Sequence, residues 1–353
     1  MKTSRTPAIF ETHRIGSILA LAVAFKLALI LWMWNLVYGD VNLAIRFGRD
    51  WLSSFSDVSS GPYVINSKTA LGPILWYWIH ARAGIPGLKA VNLACFLALF
   101  AIHYLIGRRI YSRGIVGVSL ILFSFYVGTN LNVVAGEQDD MISALWIAAG
   151  VLLFLERDGA FLPSLLMGAG FLFKFSTAVF WLGFAAYLLV ERRWKAFLLS
   201  CLGMAAPFLV LSLGNILDGF ESLTRSLEIQ RSYSTWGEVG FKLVSTGMIF
   251  SALISSWVVT RGYERTDVLF FFLSTAYLLY VLAMRDAYSA GYVMMACMFF
   301  SSFLIAEFLQ KFRECCRHGG RMTIVILSVY LLATTAVTVH NLLHDTCPVR
   351  MEP

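Results

Sequence analysis

A series of long apolar runs constrains this chain more than any other feature of its sequence. Most of these runs are close to the ~20 residues with which an α-helix crosses a ~30 Å hydrocarbon core. Full-length runs cover residues 15–37, 88–107, 114–134, 196–213, 241–259, 267–283, 289–309 and 323–341, and a shorter one covers 141–155. The pattern predicts an all-α protein that crosses a membrane many times.

The composition excludes the ordinary soluble classes. Of the 353 residues, 58% are apolar and only 14% are charged, whereas charged residues make up about 25% of an average soluble domain. A soluble globule cannot bury that much hydrocarbon, and disordered, collagen-like and disulfide-scaffold chains are excluded as well. The net charge of +7 does not indicate nucleic-acid binding, because Lys and Arg collect in the cytoplasmic loops of membrane proteins.

The positive charges decide how two ambiguous segments cross. Residues 71–83 are too short to span and begin with Gly72-Pro73, and the apolar stretch 161–190 is interrupted at Lys174. If 71–83 crossed, or if 161–190 crossed only once, clusters of arginine would face the outside. We therefore expect 71–83 to be an interfacial helix of the outer face, and 161–190 to be two short helices that meet near Lys174 at the outer surface.

These assignments predict about eleven crossings in a single integral membrane domain over residues 1–353. The N-terminus lies inside and the C-terminus outside, and Lys and Arg are concentrated in the inner connections. The outer face carries a long first loop at 38–87, a short acidic loop at 135–140 and a later loop at 214–240. The expected location is the cell (inner) membrane of a prokaryote or the endoplasmic reticulum of a eukaryote.

The outer segments carry several acids that are candidate site residues. Asp40 directly follows the first apolar run, where partial desolvation raises the proton affinity of a carboxylate towards that of a useful base; a solvated loop acid is the alternative. Glu137, Asp139 and Asp140 lie between two apolar runs, where acids are costly. Their partner would be a divalent cation, a basic residue or sugar hydroxyls, unless they form a solvated turn.

Basic residues at the same face are candidate anion ligands. Lys174, between two short helices, suits a phosphate counter-charge, although the side chain of a lysine there can also snorkel to the interface. The predicted outer segments also contain Arg231 and the pair Arg285 and Tyr288. Arginine and tyrosine there can bind a lipid phosphate, but the aromatic belts of membrane proteins produce similar sequences. Lys26, inside the first span, has no expected role and must find water or a carboxylate.

Two further pairs have weaker functional interpretations. His340 and His344 are four residues apart and could share a metal, but no third ligand is in reach, which favours interfacial histidines. Cys315 and Cys316 lie in a basic inner loop, as reversible palmitoylation requires, and plain reduced thiols fit equally well.

Taken in order, these residues resemble the membrane-embedded C-type glycosyltransferases that use polyprenyl- or dolichyl-phosphate sugars, such as protein O-mannosyltransferases and lipid A aminoarabinose transferases. The matching strings are Asp40 with Ala44-Ile-Arg46-Phe and Arg49-Asp50-Trp51, Tyr63 with Lys68 and Gly72-Pro73-Ile-Leu-Trp76-Tyr77-Trp78, the acids Glu137, Asp139 and Asp140, the Gly-rich segment Gly168 to Lys174, and Arg285 to Tyr288. The resemblance covers most of the first 290 positions.

The resemblance implies an inverting transfer of a sugar to a hydroxyl acceptor on the non-cytoplasmic face. Asp40 would be the catalytic base. The donor phosphate would be bound by Lys174, Arg231, Arg285 and Tyr288. The acceptor, the sugar or a divalent cation (Mg²⁺ or Mn²⁺) would be bound by Glu137, Asp139 and Asp140, although no cofactor is certain. The first outer loop would be supported by Lys68 and Tyr63. The expected partners are a polyprenyl-phosphate sugar, a hydroxyl acceptor and membrane lipid.

Two other functions fit the same features. A transporter or flippase for an anionic lipid would also use a broken helix with an intramembrane charge, and a non-catalytic subunit of a glycan-assembly complex would tolerate the loss of Asp40.

Overall fold

The described part of the structure, a computed structural model, is a bundle of helices with two short pairs of strands. It comprises residues 8–38, 41–42, 45, 48–49, 64–65, 68–69, 71–135, 138–174, 177–212, 235–261, 264–285, 295–316 and 318–348. Strand β1 (Leu36–Tyr38) pairs antiparallel with β4 (Thr346–Pro348), and β2 (Val64–Ile65) pairs antiparallel with β3 (Lys68–Thr69). The all-α class predicted from the apolar runs is confirmed.

The helices follow the apolar runs closely. In chain order they are α1 (Ala8–Trp32), α2 (Leu71–Ile110), α3 (Arg113–Ser124), α4 (Val127–Val134), α5 (Gln138–Arg157), α6 (Phe161–Phe171), α7 (Thr177–Val190), α8 (Trp194–Ser212), α9 (Trp236–Ser245), α10 (Met248–Thr260), α11 (Arg265–Met284), α12 (Met295–Cys315) and α13 (Gly319–Asp345).

Several helices have the length and apolar character of membrane spans. Among the described residues, α1, α2, α11, α12 and α13 satisfy both criteria, and the number rises from five to seven if the bent pairs α3–α4 and α9–α10 each form one span. The two pairs bend by 52° and 66° respectively. These helices are consistent with a multi-pass membrane protein, whereas the eleven crossings and the long first outer loop remain predictions.

Both ambiguous segments break where the sequence suggested. Helix α2 is interrupted at Gly84, which has φ 60° and ψ −158°, a conformation that a residue without Cβ adopts easily. The break falls between the expected interfacial helix at 71–83 and the run at 88–107. The stretch 161–190 forms α6 and α7, with Lys174 in the connection between them.

The bend between α3 and α4 is stabilised by one side chain from α1 and one from α4 itself. Lys26 donates to the Ser124 carbonyl and to Asn130 Oδ1 at 2.9 Å, and its Nζ lies 4.2 Å from the centre of the Phe96 ring. The Asn130 amide donates to the Phe125 carbonyl at 3.1 Å. Carbonyls released by a helix break need such donors when they are buried. The expectation that Lys26 needs water or a carboxylate is therefore wrong, because backbone, amide and ring accept it.

Ion pairs and hydrogen bonds gather one set of helix connections at one end of the bundle. Arg109 pairs with Glu156 at 2.7 Å, Arg193 with Asp158 at 2.8 Å, and Arg265 with Glu191 at 3.2 Å. Tyr111 donates to Asp267 and Ser112 donates to Gln310. We call this the basic end; its described residues are 108–113, 156–160, 190–195, 261, 264–266, 311–316 and 318–321. The opposite end, where α5 and α7 begin, is called the site end.

Candidate functional site

A buried ion pair lies at the site end, where the connection between α6 and α7 meets the start of α5. Lys174 Nζ contacts Asp140 Oδ1, and both side chains are only 3% exposed. Removing two ions from solvent is costly unless their geometry and additional hydrogen bonds offset the loss of hydration. In a membrane protein, buried charges of this kind usually mark a functional site.

A second contact extends this pair to the start of α2. The Trp76 indole donates to Asp139 Oδ1 at 2.7 Å, and both residues are buried. Gly72 packs directly on the same carboxylate, since a Cβ at this position would lie 2.3 Å from Asp139 Oδ1. Three segments distant in sequence therefore form one cluster of Gly72, Trp76, Asp139, Asp140 and Lys174, which we call the acid–lysine cluster.

The start of α5 explains why the two acids point to different partners. Asp139 and Asp140 both lie in the first turn of α5, where the N-terminal amides and the helix dipole favour negative charge. Consecutive helical residues project about 100° apart. Asp139 therefore faces Trp76 on α2, and Asp140 faces Lys174.

Small residues bring the Lys174 connection close to α5. A Cβ added to Gly170 would lie 3.0 Å from side-chain carbons of both Trp146 on α5 and Thr177 on α7. The backbone N–H of Lys174 bonds the Gly170 carbonyl at 3.1 Å, and the Lys174 carbonyl accepts from the N–H of Thr177 at 3.1 Å. The chain thus leaves α6 and enters α7 in a tight turn, with Lys174 in the middle of it.

Arg285 lies at the same end of the bundle as this cluster. Helices α7 and α11 are antiparallel, because Glu191 pairs with Arg265 at the basic end and Phe180 stacks on Tyr277 at 5.1 Å further along. The end of α11 and the start of α7 therefore share the site end. Arg285 follows α11 directly, with a left-handed φ of 52°. The predicted role of Arg285 in phosphate binding stays a prediction.

The other predicted site residues are only partly covered by the structure. Lys68 belongs to β3, where its backbone pairs with Ile65. Asp40, Tyr63, Glu137, Arg231 and Tyr288 lie outside the described residues. The nearest described neighbour of Asp40 on the preceding side is Tyr38, which is paired with Thr346 in the β1–β4 ribbon.

Sequence reasoning missed one buried cation, Lys89. It donates to the Met33 carbonyl at 2.6 Å and to the Leu36 carbonyl at 3.1 Å. It thereby ties α2 to the segment that connects α1 to β1, a few residues before Asp40 in sequence. The only sequence signal was a lysine at the start of an apolar run, and such a lysine also occurs where a helix simply enters the membrane.

A divalent cation at these acids stays a prediction, because Glu137, the third acid of the set, lies outside the described residues. Asp140 already contacts the Lys174 ammonium, which would repel a cation at the same oxygen. Among the described residues, no group of three or more His, Cys, Asp and Glu side chains is placed to hold a metal. His340 and His344 pack against each other, with ring centres 4.4 Å apart.

Comparisons with known proteins add no relative to this description. No protein-family model, no curated protein and no solved structure matches the chain. The resemblance to C-type glycosyltransferases therefore depends on the quoted residues alone, and three of its strings, those containing Trp76, Asp139 with Asp140, and Lys174, are the ones that meet in the acid–lysine cluster.

Proposed function

We propose that this protein is an inverting glycosyltransferase that moves a sugar from a polyprenyl-phosphate donor to a hydroxyl of a lipid, glycan or protein on the non-cytoplasmic face. The convergence of three distant segments in the acid–lysine cluster carries the proposal. Trp76, Asp139 with Asp140, and Lys174 come from segments distant in sequence, and each occurs in a string that resembles the glycosyltransferase pattern.

The cluster has the chemical groups that a phosphate-linked sugar needs. Lys174 supplies a buried ammonium at the site end, and an ammonium is a common ligand of phosphate oxygens. Asp140 fixes the position of the ammonium. The Trp76 indole donates to the Asp139 carboxylate and fixes its orientation, as a carboxylate that orients a sugar or an acceptor would require. Arg285 adds a second cation at the site end.

In the proposed reaction, Asp40 takes the proton from the acceptor hydroxyl as its oxygen attacks the anomeric carbon. The bond between that carbon and the phosphate oxygen breaks, and the lipid phosphate leaves with the electron pair. Lys174, Arg231 and Arg285 stabilise the growing negative charge, to which one well-aimed donor contributes about 2.7–4 kcal/mol. Tyr288 flanks the phosphate, while Glu137, Asp139 and Asp140 orient the sugar or the acceptor.

The decisive experiment measures turnover of the purified full chain in lipid nanodiscs. A panel of labelled polyprenyl-phosphate sugars is offered with a mixed set of hydroxyl acceptors, and both released lipid phosphate and transferred label are quantified. Wild type is expected to turn over at least one donor. Asp40→Asn should abolish transfer while donor binding persists, because amide nitrogen cannot accept the proton.

The matched control is Asp158→Asn, which removes an 85%-exposed acid at the basic end. This variant should transfer sugar at the wild-type rate. Full activity of Asp40→Asn would remove the proposed base, and failure of wild type to bind or turn over any lipid-linked sugar would refute the proposed function.

One observation also fits a transporter for an anionic lipid. A helix broken at a buried charge, as at Lys174, is how many transporters build their substrate sites. Proteoliposomes with a fluorescent anionic lipid distinguish the two functions. A transporter moves the lipid between leaflets without cleaving it, whereas a glycosyltransferase releases lipid phosphate.

A further inference from the structure

A charged cavity lies at the basic end, away from the acid–lysine cluster. It has a volume of about 490 Å³, within the range of small-molecule sites. Its wall is formed by the connection between α5 and α6 and by the start of α8. The lining includes Asp158, Arg192, Arg193, Trp194, Lys195 and Leu199, and we call it the basic pocket.

The turn between α7 and α8 builds this pocket. Arg192, two residues after the end of α7, has a left-handed conformation with φ 56°. The N–H of Arg193 bonds the Leu188 carbonyl at 2.9 Å and that of Arg192 bonds the Leu189 carbonyl at 3.0 Å, which is the pattern of a Schellman motif. Helix α8 then begins at Trp194, so four consecutive residues with three cations surround one cavity.

Arg193 serves as a structural brace of the pocket. Its guanidinium pairs with the Asp158 carboxylate at 2.8 Å and donates to the Asp158 carbonyl at 2.8 Å. These bonds tie the α5–α6 connection to the start of α8, and the pair has no net charge. Arg192 and Lys195 are both exposed, and within the described part of the chain neither forms an ion pair. Arg192 and Lys195 therefore give the pocket two positive charges that no ion pair within the described part of the chain neutralises.

An exposed apolar stripe continues from the pocket along α8. Trp194, Leu198 and Leu202 recur at helical spacing and are 62%, 62% and 61% exposed. Leu199 lines the pocket itself. On a helix of a membrane protein, such a stripe faces lipid acyl chains, and a tryptophan at its end lies at the headgroup level.

We propose that the basic pocket binds the headgroup of an anionic phospholipid whose acyl chains lie along the Trp194–Leu198–Leu202 stripe. The phosphate of the headgroup accepts hydrogen bonds from the Arg192 guanidinium and the Lys195 ammonium, and it lies beside the first backbone amides of α8. A free phosphate ion would use the two cations but would leave the stripe unused. The charge pattern predicts the basic end to be cytoplasmic, and the cytoplasmic leaflet is the one rich in anionic lipids.

Binding of spin-labelled phosphatidylglycerol and phosphatidylcholine with identical acyl chains tests the proposal on the full chain in neutral-lipid nanodiscs. Wild type should immobilise one equivalent of phosphatidylglycerol in preference to phosphatidylcholine. Arg192→Asn/Lys195→Gln should weaken this binding by roughly 30-fold, since two cations near the membrane surface are lost. Asn is chosen at 192 because it tolerates the left-handed conformation.

The control is Arg313→Gln/Arg321→Gln, which removes two exposed cations at the same end but outside the pocket. This control variant should bind phosphatidylglycerol as tightly as wild type. Equal losses of binding in both double variants would mean that diffuse surface charge attracts the lipid, and this result would overturn the proposed site. Equal binding of the two lipids by wild type would overturn the proposal without any variant. Displacement of the bound lipid by millimolar inorganic phosphate would also overturn it, in favour of a small-anion site.

Discussion

Replacing Lys174 with Met removes the positive partner of a carboxylate that is almost entirely shielded from water. Both members of the Lys174–Asp140 pair are 3% exposed, so solvent cannot compensate the charge that remains. Removing one partner of a buried pair typically costs about 3–5 kcal/mol, because the other ion stays buried without its counter-charge. We expect Lys174→Met to lower the free energy of unfolding by about that amount.

The double variant Asp140→Asn/Lys174→Met separates this cost from the loss of packing. Removing both charges removes the uncompensated ion, so the double variant should be more stable than Lys174→Met by about 2 kcal/mol or more. Equilibrium unfolding in mixed micelles, with a graded fraction of denaturing detergent, measures all four members of the cycle under one condition. Sugar transfer should be lost in every variant that lacks Lys174.

The exposed pair of Arg109 and Glu156 supplies the control cycle. These side chains are 43% and 37% exposed, and such a pair contributes only about 0–1 kcal/mol. Arg109→Met should therefore have little effect on unfolding. If Lys174→Met costs less than about 1 kcal/mol, or if the two substitutions at the buried pair are simply additive, then the reasoning from burial is refuted.

Three further changes test the surroundings of the cluster and the basic end. Gly72→Ala should destabilise the fold by about 1–3 kcal/mol and reduce transfer, because its Cβ would overlap Asp139 Oδ1; thermal unfolding and turnover measure both. Trp76→Phe should cost about 1–3 kcal/mol in unfolding, since the Asp139 carboxylate loses a buried donor. Burial, and then Asp267, raise the pKa of Tyr111 well above 10.0. Because the pKa is raised in the folded state, the contribution of Tyr111 to stability is complete below about pH 10 and is lost as the pH rises further. Tyr111→Phe should reduce this loss, which is measured as the free energy of unfolding at a series of pH values.

Matched variants identify nonspecific effects. Gly240→Ala introduces a Cβ that meets nothing within 4 Å, so it should be neutral or slightly stabilising. Trp32→Phe changes a 50%-exposed tryptophan outside the acid–lysine cluster and should leave unfolding and transfer unchanged. Equal losses in a test variant and its control would remove the specific role assigned to the test residue.

The breaks at Gly84 and Lys174 could be predicted because the residues themselves disrupt a span. A glycine close to Pro86, and a lysine inside an apolar stretch, are local signals. The bends after Ser124 and at Gly247, which has φ 73°, lie inside the apolar runs 114–134 and 241–259, each of which predicts one span. At the first bend one donor, Lys26, comes from a distant part of the chain, and a contact over that sequence separation leaves no local pattern.

The candidate site shows the same division between local and distant information. The cost of charge among apolar runs identified Asp139, Asp140 and Lys174 as special. Which acid meets the lysine depends on the rotation of α5 about its axis and on its packing against α2, and neither follows from composition or spacing. The contact of Trp76 with Asp139 was missed for this reason, although Trp76 was part of a quoted string.

The β1–β4 ribbon makes the position of one segment depend on another segment that is far away in sequence. Leu36 to Tyr38 are held by backbone bonds to Thr346 to Pro348, and Asp40 is only two residues further along. Side-chain substitutions in the second strand leave such backbone bonds in place, whereas inserting one residue between His344 and Thr346 would slip the register. An insertion some three hundred residues downstream would thereby displace the segment that precedes the proposed base, without altering a single residue near it in sequence.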